Sequence, residues 1–375
     1  MRVFSGIRPS GRLHLGNYLG AIKNWVELQE KHDCIFAIVD YHGITTPFEP
    51  ETLRQNIKEV ALDYLAVGLD PKKAALIQQS QVSEHVELGW IFSSITPVSW
   101  LERVPTYKEK IAQHPEYVNL GLLAYPTLMA ADILIYKATL VPVGEDQLPH
   151  IELANMIGKR FNHMFPERRH SEGAQRPKNP AHKVAGSFAS AQDDTFSVTF
   201  PPVKALLTEG ARVMSLKDPR KKMSKTPPVA HTAQIKPLVQ RDGSGQAGDE
   251  GCVFLSDPPE LVRRKIKTAV TDSGRDIVAR EDKPALMNLL TIYSEVSQTP
   301  IKKLEKQYAG KGYAEFKAGL AEAIVKFLEP IQARRKELEK KKGCVEEVLA
   351  AGAASARPLA QKTLAEVKKK MGLGL

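Results

Sequence analysis

The chain has 375 residues, 42% of them hydrophobic and 26% charged, with a net charge of +10 and a pI near 9.3. It is too long for one small domain and long enough for two. Its three cysteines, Cys34, Cys252 and Cys344, form no CxxC pair, which argues against a zinc knuckle or a disulfide framework and fits a reducing cytosol. The first residues lack a signal-peptide core, and no apolar run reaches the roughly 18 residues of a membrane span. The surplus of Lys and Arg suits a polyanionic partner, although simple solubility explains it equally well.

Residues 2–5 read as a short strand and 6–16 as a loop rich in turn formers. Tyr18, Ala21, Ile22, Trp25 and Leu28 recur at helical spacing over 17–31. Residues 34–39 form a continuous apolar run, the mark of a strand buried on both faces of a parallel sheet. Helical patterns at 51–67, 84–96, 120–136 and 147–165 alternate with strands at 74–77 and 140–143. Segments 167–200 and 227–251 have no usable period and read as flexible loops; the glycines of the second lack the GK[ST] end of a phosphate loop. Beyond about 230 only helices are predicted. Asp257-Pro258-Pro259-Glu260 reads as an aspartate N-cap opening a helix, and helical periodicity follows at 285–297, 313–342 and 346–371. The fold class is therefore α/β: a Rossmann-type doubly wound parallel sheet followed by an all-helical domain.

Two distant stretches carry the chemistry. Pro9 to Asn17 is a strand-to-helix turn. Gly16 lets the backbone approach a ligand, the helix N-terminus attracts an anion, and His14 can donate to a phosphate oxygen that gains charge. His-Leu-Gly-Asn alone fits a tight turn with a buried histidine equally well. Lys221 to Thr226 taken alone reads more simply as a basic surface loop, but Lys222 and Lys225 can also cover the β- and γ-phosphates of ATP as pyrophosphate leaves. A third stretch, Ala124 to Tyr136, puts Tyr125, Met129, Asp132 and Tyr136 on one helix face. A carboxylate there is costly without a partner; an indole N–H would supply one, and so would internal pairing. Residues 141–147 run from a strand into a helix, where Asp146 can bond ribose hydroxyls and Gln147 an amino group.

Together these segments resemble the class I aminoacyl-tRNA synthetases, with their HIGH and KMSKS signatures, and among them the bacterial-type tryptophan-specific family. The resemblance extends over nearly the whole chain, through Phe4-Ser5-Gly6-Ile7, Met129 to Leu134, Val141 to Gln147, Arg160-Phe161-Asn162 and Ala269 to Ser273. It implies ATP-dependent activation of L-tryptophan and transfer to the 2′-hydroxyl of tRNA-Trp. His14, Asn17, Lys222 and Lys225 would be catalytic. Arg8, Pro9, Ser10, Gly16, Asn17, Gly144, Glu145, Asp146, Val213 and Lys222-Met223-Ser224-Lys225-Thr226 would contact ATP, with Mg2+ held mainly by the phosphates and no metal site in the protein. Asp132, Tyr125, Met129, Gln147 and Phe4 would hold tryptophan. The resemblance further implies a cytoplasmic homodimer with no membrane contact. It divides the chain into a catalytic domain (1–216, with an insertion at about 167–200), the KMSKS-type loop with its insertion (217–251), and a helical anticodon-binding domain with a C-terminal helix (252–375).

Arg8 stands where many relatives have glutamine, His14 where many have threonine, and Thr226 replaces a serine, with Pro227 after it. Three other readings are weighed against this one. A tyrosine-specific enzyme would need a donor and acceptor for a phenol. A small nucleotidyltransferase would lack the long helical region and the lysine loop. An RNA-binding paralogue would be expected to have lost His14, Asn17, Lys222 or Lys225.

Overall fold

A computed structural model of the chain describes residues 1–113, 115–166, 198–207, 212–223 and 249–374. In chain order it places β1 (Arg2–Ile7), α1 (Leu15–Asn17), a π-helical turn (Tyr18–Ile22), α2 (Lys23–Leu28), β2 (Asp33–Ile38), α3 (Asp40–Gly43) and α4 (Pro50–Ala66). There follow β3 (Ala74–Gln78), α5 (Glu84–Ile95), α6 (Val98–Leu101), α7 (Pro105–Gln113), α8 (Leu120–Leu134), β4 (Leu140–Val143), α9 (Leu148–Met164) and β5 (Lys204–Leu207). The remainder is α10 (Pro259–Lys267), α11 (Pro284–Ser297), α12 (Ile301–Gln307), α13 (Tyr313–Glu339) and α14 (Cys344–Met371).

The strands form one parallel sheet in the order β3-β2-β1-β4-β5. The chain steps outward in one direction from β1 to β3 and in the other from β4 to β5. The reversal leaves a switch point between β1 and β4, where ligands of such sheets bind beyond the strand ends. Alternation along the strands divides the core between the two faces. Val3, Cys34, Phe36 and Ile38 pack with Trp25, Tyr64 and helices α10–α13. Phe4, Ile35, Ala37 and Val39 pack with α5, α8, α9 and α14. Trp25 stacks on Phe36 at 4.7 Å between ring centroids, with Tyr64 edge-on to it at 5.7 Å. Truncating such a buried tryptophan costs about 3–5 kcal/mol.

Three observations differ from the sequence reading, and a fourth concerns a helix whose packing the sequence reading did not address. The edge strand β5 was not predicted; four residues of mixed burial carry too little pattern. Asp257 is not the cap of α10, whose N-cap is Pro258. Its carboxylate turns inward, accepting from Phe254 N–H at 3.0 Å and Lys265 Nζ at 2.6 Å. The predicted loops 167–200 and 227–251 lie mostly outside the described residues, but their downstream ends are ordered. Phe200 is buried and bracketed by the Asn162 amide, and 249–251 form a 3-10 turn. Finally, α14 leaves the helices before it and lies against β3, so close that a Cβ on Gly352 would fall 1.9 Å from the Leu76 carbonyl oxygen.

Candidate active site

Beyond β1 the chain turns through Arg8 to Leu13, with Gly11 at a φ of 139° that side chains rarely adopt. His14 caps α1: its Nδ1 accepts Asn17 N–H at 3.2 Å, and Asn17 Oδ1 accepts His14 N–H at 3.2 Å. With Nδ1 accepting, a neutral ring carries its proton on Nε2. Residues 13–15 are stitched to 253–255 by Leu15 N–H to Val253 O at 2.8 Å and Leu255 N–H to Leu13 O at 2.9 Å. The π-helical turn at once after Asn17, where Lys23 N–H reaches back to the Tyr18 carbonyl, has no sequence signature; such turns recur at functional sites.

The described part of the lysine loop meets this turn. Met223 N–H donates to Val213 O at 3.0 Å and Ser215 N–H to Lys221 O at 2.8 Å, so 213–215 and 221–223 run as a short antiparallel pair. The Asn288 amide on α11 clamps the Met214 backbone at 2.8 and 2.9 Å. Met223 is buried, and its Cβ stands 3.2 Å from where a Cβ on Gly16 would lie. Lys222 Nζ lies 3.5 Å from Asp146 Oδ1, both side chains being more than half exposed. Asp146 follows β4 on the turn opened by Gly144, with Glu145 exposed beside it and the Gln147 amide on its other oxygen at 2.9 Å. Burial pushes the Asp146 carboxyl up, and Gln147 and Lys222 together bring it below its ordinary value. Ser224, Lys225 and Thr226 lie outside the described residues.

On α8, Asp132 is 1% exposed, and internal partners engage both of its oxygens. Oδ1 lies 2.6 Å from His85 Nδ1 and 2.7 Å from Gln79 Nε2; Oδ2 lies 2.8 Å from His42 Nε2. Burial pushes this carboxyl up, but the two histidines hold it at about 2. His85 Nε2 reaches the Tyr136 hydroxyl at 2.7 Å, and Tyr136 stacks on the buried Phe4 at 5.8 Å. The Tyr125 hydroxyl meets Thr106 and, at 3.0 Å, His150 Nε2, while Lys110 Nζ sits 4.4 Å from the Tyr125 ring centroid. Met129 is half-buried against the same core. Burial and the nearby Arg8 lower Lys110 to about 8; burial and Lys110 lower His150 to about 4.

Beyond the ends of β1 and β4 the His14 turn, Met223 and the Lys222–Asp146 pair come together, while the Asp132 network ties α8 to the residues that follow β2 and β3. Of the predicted residues, Gly16, Lys222, Met223, Val213 and Asp146 come together directly. Arg8 lies near enough to Tyr125 and Lys110 to act on both electrostatically. Sequence reasoning missed His42, Gln79, His85, Thr106, Lys110 and His150. His42 and Gln79 follow the carboxyl ends of β2 and β3, the positions the switch-point rule singles out; the other four carry no local signal.

A family model for class I tRNA synthetases (W and Y) matches residues 1–329. A tryptophan–tRNA ligase of Enterococcus faecalis is 41% identical over 374 residues, covering 99% of this chain and 98% of that one. Two solved structures are similar over 100% of this chain. One is the tryptophanyl-tRNA synthetase of Mycoplasma pneumoniae (32% identity, 98% of that chain, TM-score 0.79). The other is that of Campylobacter jejuni complexed with ADP and tryptophan (31% identity, 100% of that chain, TM-score 0.73). The chain belongs to the class I tRNA synthetases for tryptophan and tyrosine, and within them to the tryptophanyl-tRNA synthetases.

Proposed function

We propose that this protein is a tryptophan–tRNA ligase that activates L-tryptophan with Mg-ATP and transfers it to the 2′-hydroxyl of the terminal adenosine of tRNA-Trp. The observation that carries this reading is the meeting of two distant signatures: Met223 packs on Gly16 while Lys222 reaches Asp146. A nucleotide at the β1–β4 switch point would be gripped from both ends. The tryptophan carboxylate attacks the α-phosphate in line, tryptophanyl-adenylate forms and pyrophosphate departs. His14 Nε2–H and the α1 N-terminus face the phosphates with Asn17, and Arg8, Pro9, Ser10, Gly144 and Glu145 line the approach. Lys222 exchanges Asp146 for the β- and γ-phosphates, where charge grows as the bond breaks. Lys225 acts beside it, with Ser224 and Thr226, and Mg2+ travels with the phosphates as part of the substrate. Asp146 then turns to the ribose and Gln147 to the amino group.

Asp132 Oδ2 has one protein donor and a second lone pair for the indole N–H. Tyr125, Met129 and Phe4 complete the pocket. Region 252–375 reads the anticodon, and the net charge of +10 favours the RNA. The enzyme works as a cytoplasmic homodimer. Val86 and Trp90 lie one turn apart on α5 at 43% and 74% exposure, apolar surface suited to a second copy. The test is ATP–pyrophosphate exchange with tryptophan, tyrosine or no amino acid. Exchange with tryptophan alone is expected; faster exchange with tyrosine would overturn the assignment of Asp132. Light scattering on the same sample checks the dimer, and a monomer at micromolar concentration would refute it.

A further inference from the structure

The signature turn is held from behind by a charged pair. Asp63 on α4 is 0% exposed. Its Oδ2 accepts Leu13 N–H at 3.1 Å, and its Oδ1 takes Nη1 of Arg335 on α13. Arg335, 6% exposed, spreads its remaining donors over the Glu59 carboxylate and carbonyl and over Glu339 Oε1. One turn earlier on α13, Gln332 Nε2 donates to the carbonyls of Leu255 and Asp257, each at 2.9 Å. Leu255 in turn donates to the Leu13 carbonyl. One face of α13 therefore grips residue 13 twice: through Asp63 on its N–H and through Leu255 on its C=O.

Stability alone gives little reason for this pair. Apolar side chains of similar volume in place of a buried ion pair are often neutral or stabilising. What a buried pair can do is select one arrangement of packed elements over its neighbours. Here that arrangement fixes the residue immediately before His14. Burial, only partly offset by Arg335 and Leu13 N–H, leaves the Asp63 carboxyl raised to about 6.

We propose that Asp63 and Arg335 are positioning residues for the activation reaction: they lock the signature turn to α13, so that His14 and Asn17 meet the ATP phosphates already in place. The inference rests on the function proposed above and deepens it, because it makes nucleotide affinity depend on a helix of the RNA-reading region. Both residues act through Leu13.

Calorimetry on the full chain, with ATP and tryptophan titrated separately, tests the pair. The double variant Asp63→Leu/Arg335→Met removes both charges and keeps apolar bulk. It is expected to lose roughly ten-fold in ATP affinity, the size of one hydrogen bond to a charged group. Tryptophan affinity should stay at the wild-type value, while the melting temperature is expected to fall, because Leu13 N–H and Glu59 lose their partners. A merely structural pair would leave the ATP affinity of the folded fraction unchanged, and that result overturns the proposal. Arg335→Lys keeps the charge without the fork and is expected to bind ATP better than Arg335→Gln. If the double variant does not fold, this comparison decides: wild-type ATP affinity in both single variants sinks the pair. ATP binding does not depend on exchange, so a wild-type chain without tryptophan-dependent exchange would count against the function and leave this test intact.

Discussion

Asp132 and Lys222, the two ends of the proposed site, are held very differently. Asp132 is buried, with three side-chain donors from α3, α5 and the turn after β3 closing on it at 2.6–2.8 Å. Lys222 has one carboxylate at 3.5 Å, both groups in water, where such a pair contributes roughly 0–1 kcal/mol. In the proposed reading, the amino-acid side is built before the substrate arrives, while the phosphate side keeps a cation that a stronger anion can take from Asp146. Selection among amino acids needs a pocket that does not adapt, whereas stabilising a leaving group favours a cation whose grip tightens in the transition state.

The most severe way to break this contrast is Asp132→Asn. It leaves His42, His85 and Gln79 competing for one oxygen in a dry site, and breaking a buried pair costs about 3–5 kcal/mol. Tryptophan affinity should fall roughly ten- to hundred-fold, the worth of one hydrogen bond to a charged group, with ATP affinity nearly unchanged; equal losses in both would refute the assigned role. The pH dependence of stability probes the pocket side without touching Asp132. His150 is buried, and its folded pKa of about 4 lies below the ordinary 6.5, so unfolding takes up a proton between those values. Its contribution is complete above about 6.5 and is lost as pH falls towards 4, by about 3 kcal/mol. Asp63, raised to about 6, runs the other way. The readout is therefore the difference between wild type and His150→Gln in urea midpoint from pH 7 to 4, in which the Asp63 contribution cancels. Identical slopes would show that His150 is not held neutral.

On the phosphate side, Lys222→Ala and Lys225→Ala should each lower the single-turnover activation rate roughly ten-fold, since a charge-assisted contact is worth about 1.5–3 kcal/mol. The tryptophan dissociation constant should not move, and an unchanged rate would remove the lysine from the mechanism. Gly16→Ala gives the smallest effect. Its Cβ would lie 3.1 Å from His14 Nδ1 and 3.2 Å from Met223 Cβ, so one of them must shift by a few tenths of an ångström. A several-fold loss of exchange is expected, with about 1 kcal/mol of destabilisation. If exchange is unaffected, the two signatures do not need their close contact.

How far the molecule could be read from its sequence follows the range of the signal. The run Cys34 to Val39 is legible because a strand buried on both faces has no polar side to show. The signature turn is legible because glycine, a capping side chain and a helix start lie within a few residues. Asp132 could be singled out as an isolated carboxylate on an apolar helix, but its partners could not. His42, Gln79 and His85 lie far from it in sequence, and only the parallel register of β1, β2 and β3 brings their loops together. Asp257 misled for the same reason: a local capping pattern was outweighed by Lys265, which the turn of α10 carries back to it.

The contact of Gly352 with the Leu76 carbonyl has a consequence for how the chain is made. A ribosome completes β3 long before it reaches residues 344–371, so the backbone that α14 covers stays open while everything between is synthesised. Uncovered strand edges invite pairing with other chains. For this protein the hazardous interval is the nascent one, and its length is set by the order of elements along the gene.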